Sequence, residues 1–379
     1  MTARRWPGVA LHVVSGKGGT GKTTVAAALA LSLARGGRRT LLLEVEGRQG
    51  IAQLFDTPPL PYEERKIAVA PEGGEVWALA IDPQEALLDY LETFYNLRRA
   101  GSALKRMGAV DFATTIAPGL RDVLLTGKAV EVVRRTDKKS DDRYDAVVMD
   151  APPTGRITKF LNVNSEMSGL AKVGPIRSHA DLVMSVIASP RTAVHLVTLL
   201  EEMPVTETID GITELQDAHL PVGGVFVNLT RPPLLDADQL SAAAAGILPV
   251  EAVAGALGRV GLAAHADAIA PVLLAEAGDH ARRVALEERE FSRVESLGLP
   301  TFVLPTLPGG VDLGGLHEFD RLVGIGQQLV MAELALEAVA VLLLAHAGLE
   351  AAQHAELAFH RGADPVGHVH HVPGHADVV

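Results

Sequence analysis

The sequence predicts an α/β fold: a mainly parallel central sheet flanked by helices, with an inserted helical subdomain. Three observations predict it. Short apolar runs recur along the chain, at 9–15, 40–45, 76–81, 144–149, 222–227 and 301–304. Longer stretches of helical pattern separate them, and strands that alternate with helices pack as a sheet covered on both faces. A glycine-rich loop, residues 16–23, joins the first run to the first helix.

Each element has a local reason. Val-Ala-Leu-His-Val-Val-Ser at 9–15 is continuously apolar but for its histidine and ends in glycines, as a strand buried on both faces does. Thr23 to Arg35 is an Ala/Leu helix that Gly36-Gly37 terminates. Thr40 to Val45 is the next strand, which completes one βαβ unit. Residues 83–135 are expected to be mostly helical, with breaks at Gly101 and Pro118-Gly119. Residues 165–202 read as helices with a loop near Gly174-Pro175, and 236–297 as helix again. The domain reading is therefore residues 1–350, with helical insertions at about 84–135 and 165–202, followed by a His-rich tail at 351–379. The tail carries His368, His370, His371 and His375 and reads as loosely ordered.

Composition narrows the functions. The chain of 379 residues is 48% hydrophobic and 21% charged, which suits a globular enzyme with a sizeable aliphatic core. Its formal net charge is -12, which argues against a nucleic-acid partner. There is no cysteine, so thiolate metal sites and cysteine nucleophiles are excluded. Arg4 and Arg5 precede Trp-Pro-Gly rather than an apolar stretch, so no signal peptide is read there. The most apolar segment, Leu329 to Leu349, is interrupted by Glu333 and Glu337 and reads as a packed helix. The expected location is cytoplasmic, with a peripheral membrane association left open.

The chemistry centres on Gly16-Lys17-Gly18-Gly19-Thr20-Gly21-Lys22-Thr23, followed by Thr24. Glycines let backbone N–H groups turn toward phosphate oxygens, and the following helix adds its N-terminal dipole. Lys22 brings a cation to the β and γ phosphates, and the Thr23 hydroxyl is a Mg²⁺ ligand. The loop follows a buried strand and opens a helix, the context a nucleoside-triphosphate loop requires. Asp150 ends another apolar strand, where an acidic residue orients the Mg²⁺ shell. Ala151-Pro152-Pro153-Thr154-Gly155-Arg156 follows it, a segment placed to sense the γ phosphate.

The early Lys17 makes the loop similar to that of the deviant P-loop ATPases. The resemblance implies that Lys17 reaches across a dimer interface to the partner's nucleotide. Further stretches resemble the arsenite-efflux and tail-anchored-protein-targeting ATPases: Tyr144 to Leu161, Leu79 to Pro83, Val194 to Thr208, and Val225 to Asn228. The similarity spans about residues 9–330 and looks nearest to actinobacterial anion-transporting ATPase-like proteins. It implies a Mg²⁺- and ATP-dependent hydrolase that works as a homodimer or as a heterodimer with a paralogous ATPase. It implies Asn228 and Pro305 at the adenine. It also implies an output directed to a membrane-protein client or a membrane partner. An anion-transporter subunit and a slow regulatory subunit of a heteromeric complex are the alternatives.

Two departures stand out. Where the family carries Asp-Pro-Ala-His, this chain has Glu46-Gly47-Arg48-Gln49. Glu46 keeps the water-orienting carboxylate but moves it by one methylene, which leaves open a working polariser or a slow one. Arg156 stands in place of a family histidine. A client groove would draw on Leu87, Leu88, Leu91, Phe94, Met167, Leu170, Leu182, Met184 and Val186, whose alternative is ordinary core.

Overall fold

Eight strands form one sheet in the order β3-β4-β2-β5-β1-β6-β7-β8. The computed structural model describes residues 6–95, 119–135, 143–170, 175–307 and 313–325. All of them belong to one compact unit, Met1–Gln327. The expectations for the His-rich tail and for the 329–349 segment lie outside the described residues.

The strands are β1 (Leu11–Gly16), β2 (Arg39–Glu44), β3 (Arg65–Ala70), β4 (Gly74–Ala80), β5 (Ala146–Asp150), β6 (Thr192–Thr198), β7 (Val222–Thr230) and β8 (Thr301–Pro305). Every pairing is parallel except β3 with β4. The inner strands are buried on both faces: all six residues of β1 and all seven of β6 are buried. That is why they read as apolar runs rather than as alternation.

The helices are α1 (Lys22–Ala34), α2 (Gly50–Leu54), α3 (Pro83–Tyr95), α4 (Leu120–Arg135), α5 (Thr154–Leu170), α6 (Pro175–Ile187), α7 (Glu202–Asp217), α8 (Ala237–Ala245), α9 (Val250–Arg259), α10 (Ala266–Glu295) and α11 (Leu313–Ile325). Helix α1 is apolar nearly all round, as a helix enclosed between layers must be. It packs on β5 and β2 beneath and against α11 above, and Val25 through Leu31 are fully buried. Its alanines allow this close approach. Truncating Leu29 to Ala would cost about 2–5 kcal/mol.

One predicted region is corrected. Residues 165–202 are not helical throughout, because 192–198 form β6, which lies between β1 and β7. Thr-Ala-Val-His-Leu-Val-Thr is buried on both faces and so carries no period of two, and an apolar run of this kind reads equally as helix. The sequence reading also passes over β3, the antiparallel margin of the sheet, and the short α2.

Two histidines are buried in the sheet. His12 on β1 and His195 on β6 share a hydrogen bond, Nδ1 to Nε2, of 3.0 Å, with ring planes within 10°. Trp6 meets the His195 ring edge-on at 4.8 Å and donates through Nε1 to the Gly223 carbonyl at 3.1 Å. Burial alone pushes the His195 pKa down to about 3, so the ring is neutral.

Candidate nucleotide site

The phosphate loop leaves the carboxyl end of β1, and the backbone dictates its glycines. A Cβ on Gly16 would stand 2.3 Å from the Val197 carbonyl oxygen of β6. At Gly21, φ is +86°, and a Cβ would meet the Asn228 side chain at 2.3 Å. Neither position accepts another residue without displacing its neighbours. Within the loop, the Thr20 hydroxyl donates to the Lys17 carbonyl at 2.9 Å. Helix α1 starts directly after Gly21 with no side-chain cap and no acidic residue in its first turn. Its first N–H groups, on Lys22, Thr23 and Thr24, therefore face the loop as an anion-binding end. Gly18 and Gly19 are exposed and have nothing within 4 Å of their Cβ positions, so the cradle is open.

Adjacent strands bring the acidic residues to the same place. In the β2–β5 register Glu44 pairs with Asp150, so their side chains leave the sheet side by side. Thr23 Oγ1 donates to Asp150 Oδ2 at 2.7 Å. Burial pushes the Asp150 pKa up to about 6; the Thr23 hydrogen bond and Lys22 oppose this, while Glu44 and Glu46 add to it. Such a carboxylate is short of positive charge, and a cation beside Thr23 and Asp150 would supply it. The donor set is all oxygen, which suits Mg²⁺.

The remaining predicted residues take defined places. Glu46 lies just beyond β2, its side chain 22% exposed, 3.7 Å from the exposed Arg48. Lys17 is ion-paired at 2.6 Å with Glu207 of α7, in its own chain. Asn228, near the end of β7, is buried, and its Nδ2 donates to the Thr20 carbonyl at 2.9 Å. Its Oδ1 is buried with no hydrogen-bond partner among the described residues. Pro305 ends β8 and is buried, and the next residue, Thr306, donates its N–H to the Thr230 carbonyl at 2.8 Å. After Asp150, the Pro152 carbonyl accepts from Ser15 Oγ at 2.6 Å, and Arg156 stands 3.7 Å from Asp122 of α4.

Two residues at the site escaped the sequence reading. Glu44 is 2% exposed, and its carboxylate accepts from the backbone N–H groups of Gln49 and Ile51. Glu44 lies inside the 40–45 run, and nothing in that run marks what its carboxylate binds. Glu207 meets Lys17 from 190 positions away, and only the resemblance of the 194–208 segment marked its neighbourhood.

A helical layer lies beyond the acidic cluster. Tyr62 OH donates to Asp89 of α3 at 2.8 Å, and Lys128 of α4 donates to the same carboxylate at 2.9 Å. Glu64 holds Arg135 of α4 and accepts from Tyr144 OH at 2.6 Å. A cavity of about 270 Å³ opens between α3, α4 and α6, with Leu124 and Val183 in its wall and Asp89, Lys128, Arg134 and His179 around it. Of the proposed groove residues, Leu87 and Val186 are core, and Leu88 and Leu91 pack against it. Leu182 and Met184 are half-buried. The side chains of Phe94, Met167 and Leu170 lie outside the described residues. Among the described residues, no helix is long and apolar enough to cross a membrane.

An open glycine loop between a buried parallel strand and an uncapped helix, with an acidic strand end beside its threonine, defines a P-loop nucleoside-triphosphatase. Comparison with known proteins gives the family. The model of the anion-transporting ATPases matches residues 10–187. The ATPase BagA of Mycobacterium tuberculosis is 54% identical over 320 residues, which cover 83% of this chain and 94% of that protein. The putative ATPase Mb3704 of Mycobacterium bovis matches equally. The ATPase GET3 of Kluyveromyces lactis is 27% identical over 197 residues, 50% of this chain and 55% of its own. An arsenical pump-driving ATPase of Acidiphilium multivorum is 27% identical over 235 residues, 56% and 39%. The chain belongs to the anion-transporting ATPase family, and its reaction is ATP hydrolysis.

Proposed function

We propose that this ATPase is Mg²⁺-dependent, works as a dimer, and couples its nucleotide state to a membrane-protein client or a membrane partner. The observation that carries the reading is the 2.7 Å hydrogen bond between Thr23 and Asp150 at the uncapped start of α1. Thr23 and Asp150 would hold the ion, which supplies positive charge to the phosphate oxygens when bound. Lys22 and the loop N–H groups bind the β and γ phosphates. Glu46 orients water for in-line attack. The unpartnered Oδ1 of Asn228 is an acceptor for an adenine amino group, which favours ATP over GTP.

Both side chains of the Lys17–Glu207 pair are partly exposed, 29% and 39%, so the bond is weak enough to exchange. On this reading it leaves Glu207 and completes the partner's site. The output side is supported by the ties from Tyr62 and Glu64 to α3 and α4, which join the segment after the Glu46 loop to the helical insertion. A metalloid site built on thiols is excluded, since the 379 residues include no cysteine.

The test is Mg·ATP turnover as a function of protein concentration, for wild type and Lys17→Ala. Turnover rising more steeply than concentration, and lost in the variant, supports a dimer with a lysine acting in trans. Turnover proportional to concentration from below the dimer dissociation constant, and indifferent to Lys17, rejects it. ATP binding without turnover points to a regulatory subunit that needs a different partner.

A further inference from the structure

The loop that carries Glu46 is held from two sides at its far end, residues 49–51. From inside the sheet, Glu44 reaches forward under it. One carboxylate oxygen accepts from the Gln49 N–H, and the other from the Ile51 N–H at 3.3 Å. From outside, the Gln49 side chain pairs with the backbone of Leu60. Its Nε2 donates to the Leu60 carbonyl at 3.2 Å, and its Oε1 accepts from the Leu60 N–H at 2.7 Å. That pair of bonds imitates one rung of a β-ladder, so a side chain splices two loops together.

The geometry is demanding. Gln49 adopts φ 56°, ψ 27°, a left-handed conformation that a non-glycine residue holds only when its surroundings impose it. Gly50 comes next and rests on the phosphate-loop threonine: a Cβ there would be 3.4 Å from Thr23 Cγ2. The pinned backbone thus runs beside the residue that bonds Asp150. A serine or asparagine could cap one N–H group at lower desolvation cost. Glu44 instead serves two N–H groups two residues apart with one oxygen each, and it does so in a place already crowded with carboxylates.

We propose that Glu44 and Gln49 are positioning residues for ATP hydrolysis: together they fix the backbone of residues 45–50 so that Glu46 is presented to the phosphate site at a set height and angle. The proposal rests on the reading of Glu46 as the residue that orients water. Neither Glu44 nor Gln49 needs to touch nucleotide. Their effect falls on the chemical step, where errors in placement are costly, and not on nucleotide affinity, which Lys22 and the loop N–H groups set.

The experiment is single-turnover hydrolysis, ATP affinity and thermal melting on four full-length variants. Gln49→Gly keeps the left-handed backbone and removes both bonds to Leu60. Its hydrolysis rate is expected to fall about tenfold or more, with ATP affinity within about threefold of wild type. Glu44→Gln retains one acceptor and is expected to lose less rate than Glu44→Ala, a graded rescue that a purely structural role would not give at equal melting temperature. Glu46→Gln is the reference. If Glu46→Gln is slow while Gln49→Gly and Glu44→Gln hydrolyse as wild type does, the positioning role is overturned and the Glu46 reading stands. If Glu46→Gln itself hydrolyses normally, the underlying reading falls and the proposal falls with it. Should Glu44→Ala fail to fold, Gln49→Gly and Glu44→Gln still decide.

Discussion

Strand β1 carries two buried polar regions, one near each end, and they are built on opposite principles. At its start His12 meets His195 under Trp6, with aromatic neighbours on several sides. At its finish Gly16 opens into lysines, hydroxyls and carboxylates around an open glycine loop. The histidine pair is closed: His12 Nδ1 and His195 Nε2 bond each other inside the sheet, and burial keeps the His195 ring neutral. The phosphate end is charged: the first N–H groups of α1 have no side-chain cap, and burial raises the Asp150 pKa beside them. A neutral ring sealed among aromatic side chains serves folding, and a cluster that offers N–H donors and a carboxylate short of positive charge serves a ligand.

Substitutions can break this comparison or sharpen it. The largest expected effect is on the open end. Lys22→Ala should lower ATP turnover about 100- to 1,000-fold while leaving the melting temperature nearly unchanged. Equal losses of turnover and of stability would erase the distinction. The closed end should behave in the converse way. His195→Ala removes a fully buried ring and orphans its bond to His12, at a cost of about 2–4 kcal/mol, measured by urea unfolding. Turnover well below the melting point should stay within about threefold.

Acid should sharpen the contrast further. The folded His195 pKa is depressed, so the native ring stays neutral while the unfolded chain takes up a proton below about pH 6.5. Stability from this group is present above that pH and is lost as pH falls toward about 3. The slope approaches about 1.4 kcal/mol per pH unit. His195→Gln should flatten that part of the stability profile, and a profile unchanged from wild type would show that the pair does not govern it. The smallest effect is expected at the join between loop and sheet. Asn228→Ala loses the bond to the Thr20 carbonyl, costing about 1 kcal/mol and weakening ATP binding by up to about tenfold, read by nucleotide titration.

Much of the frame was legible because parallel strands buried on both faces announce themselves as apolar runs, and because the phosphate loop encodes its own turn. The strand at 192–198 was not. Its Thr-Ala-Val-His-Leu-Val-Thr has no period of two, and helical patterns adjoin it on both sides. The margin strand at 65–70 begins Arg-Lys, which reads as solvated loop. Within the site, the loop residues, Asp150 and Glu46 could be named from spacing and resemblance. Glu44 could not, since its burial depends on the N–H groups of a turn that only the folded backbone creates. Nor could the Lys17–Glu207 pair, which strand order brings together across more than half the chain.

The sheet's antiparallel margin has a consequence for life at high concentration. An exposed strand edge is a template on which another chain can add, and growth of that kind ends in aggregates. Strand β3 presents exposed Arg65 and Lys66 there, and its register slips between Lys66 and Ala68. Two cations and a kink make a poor seam for a further strand. Crowding these molecules should therefore not zip their sheets together at this edge, and reversing both charges should make the protein measurably more prone to form β-rich precipitate on concentration.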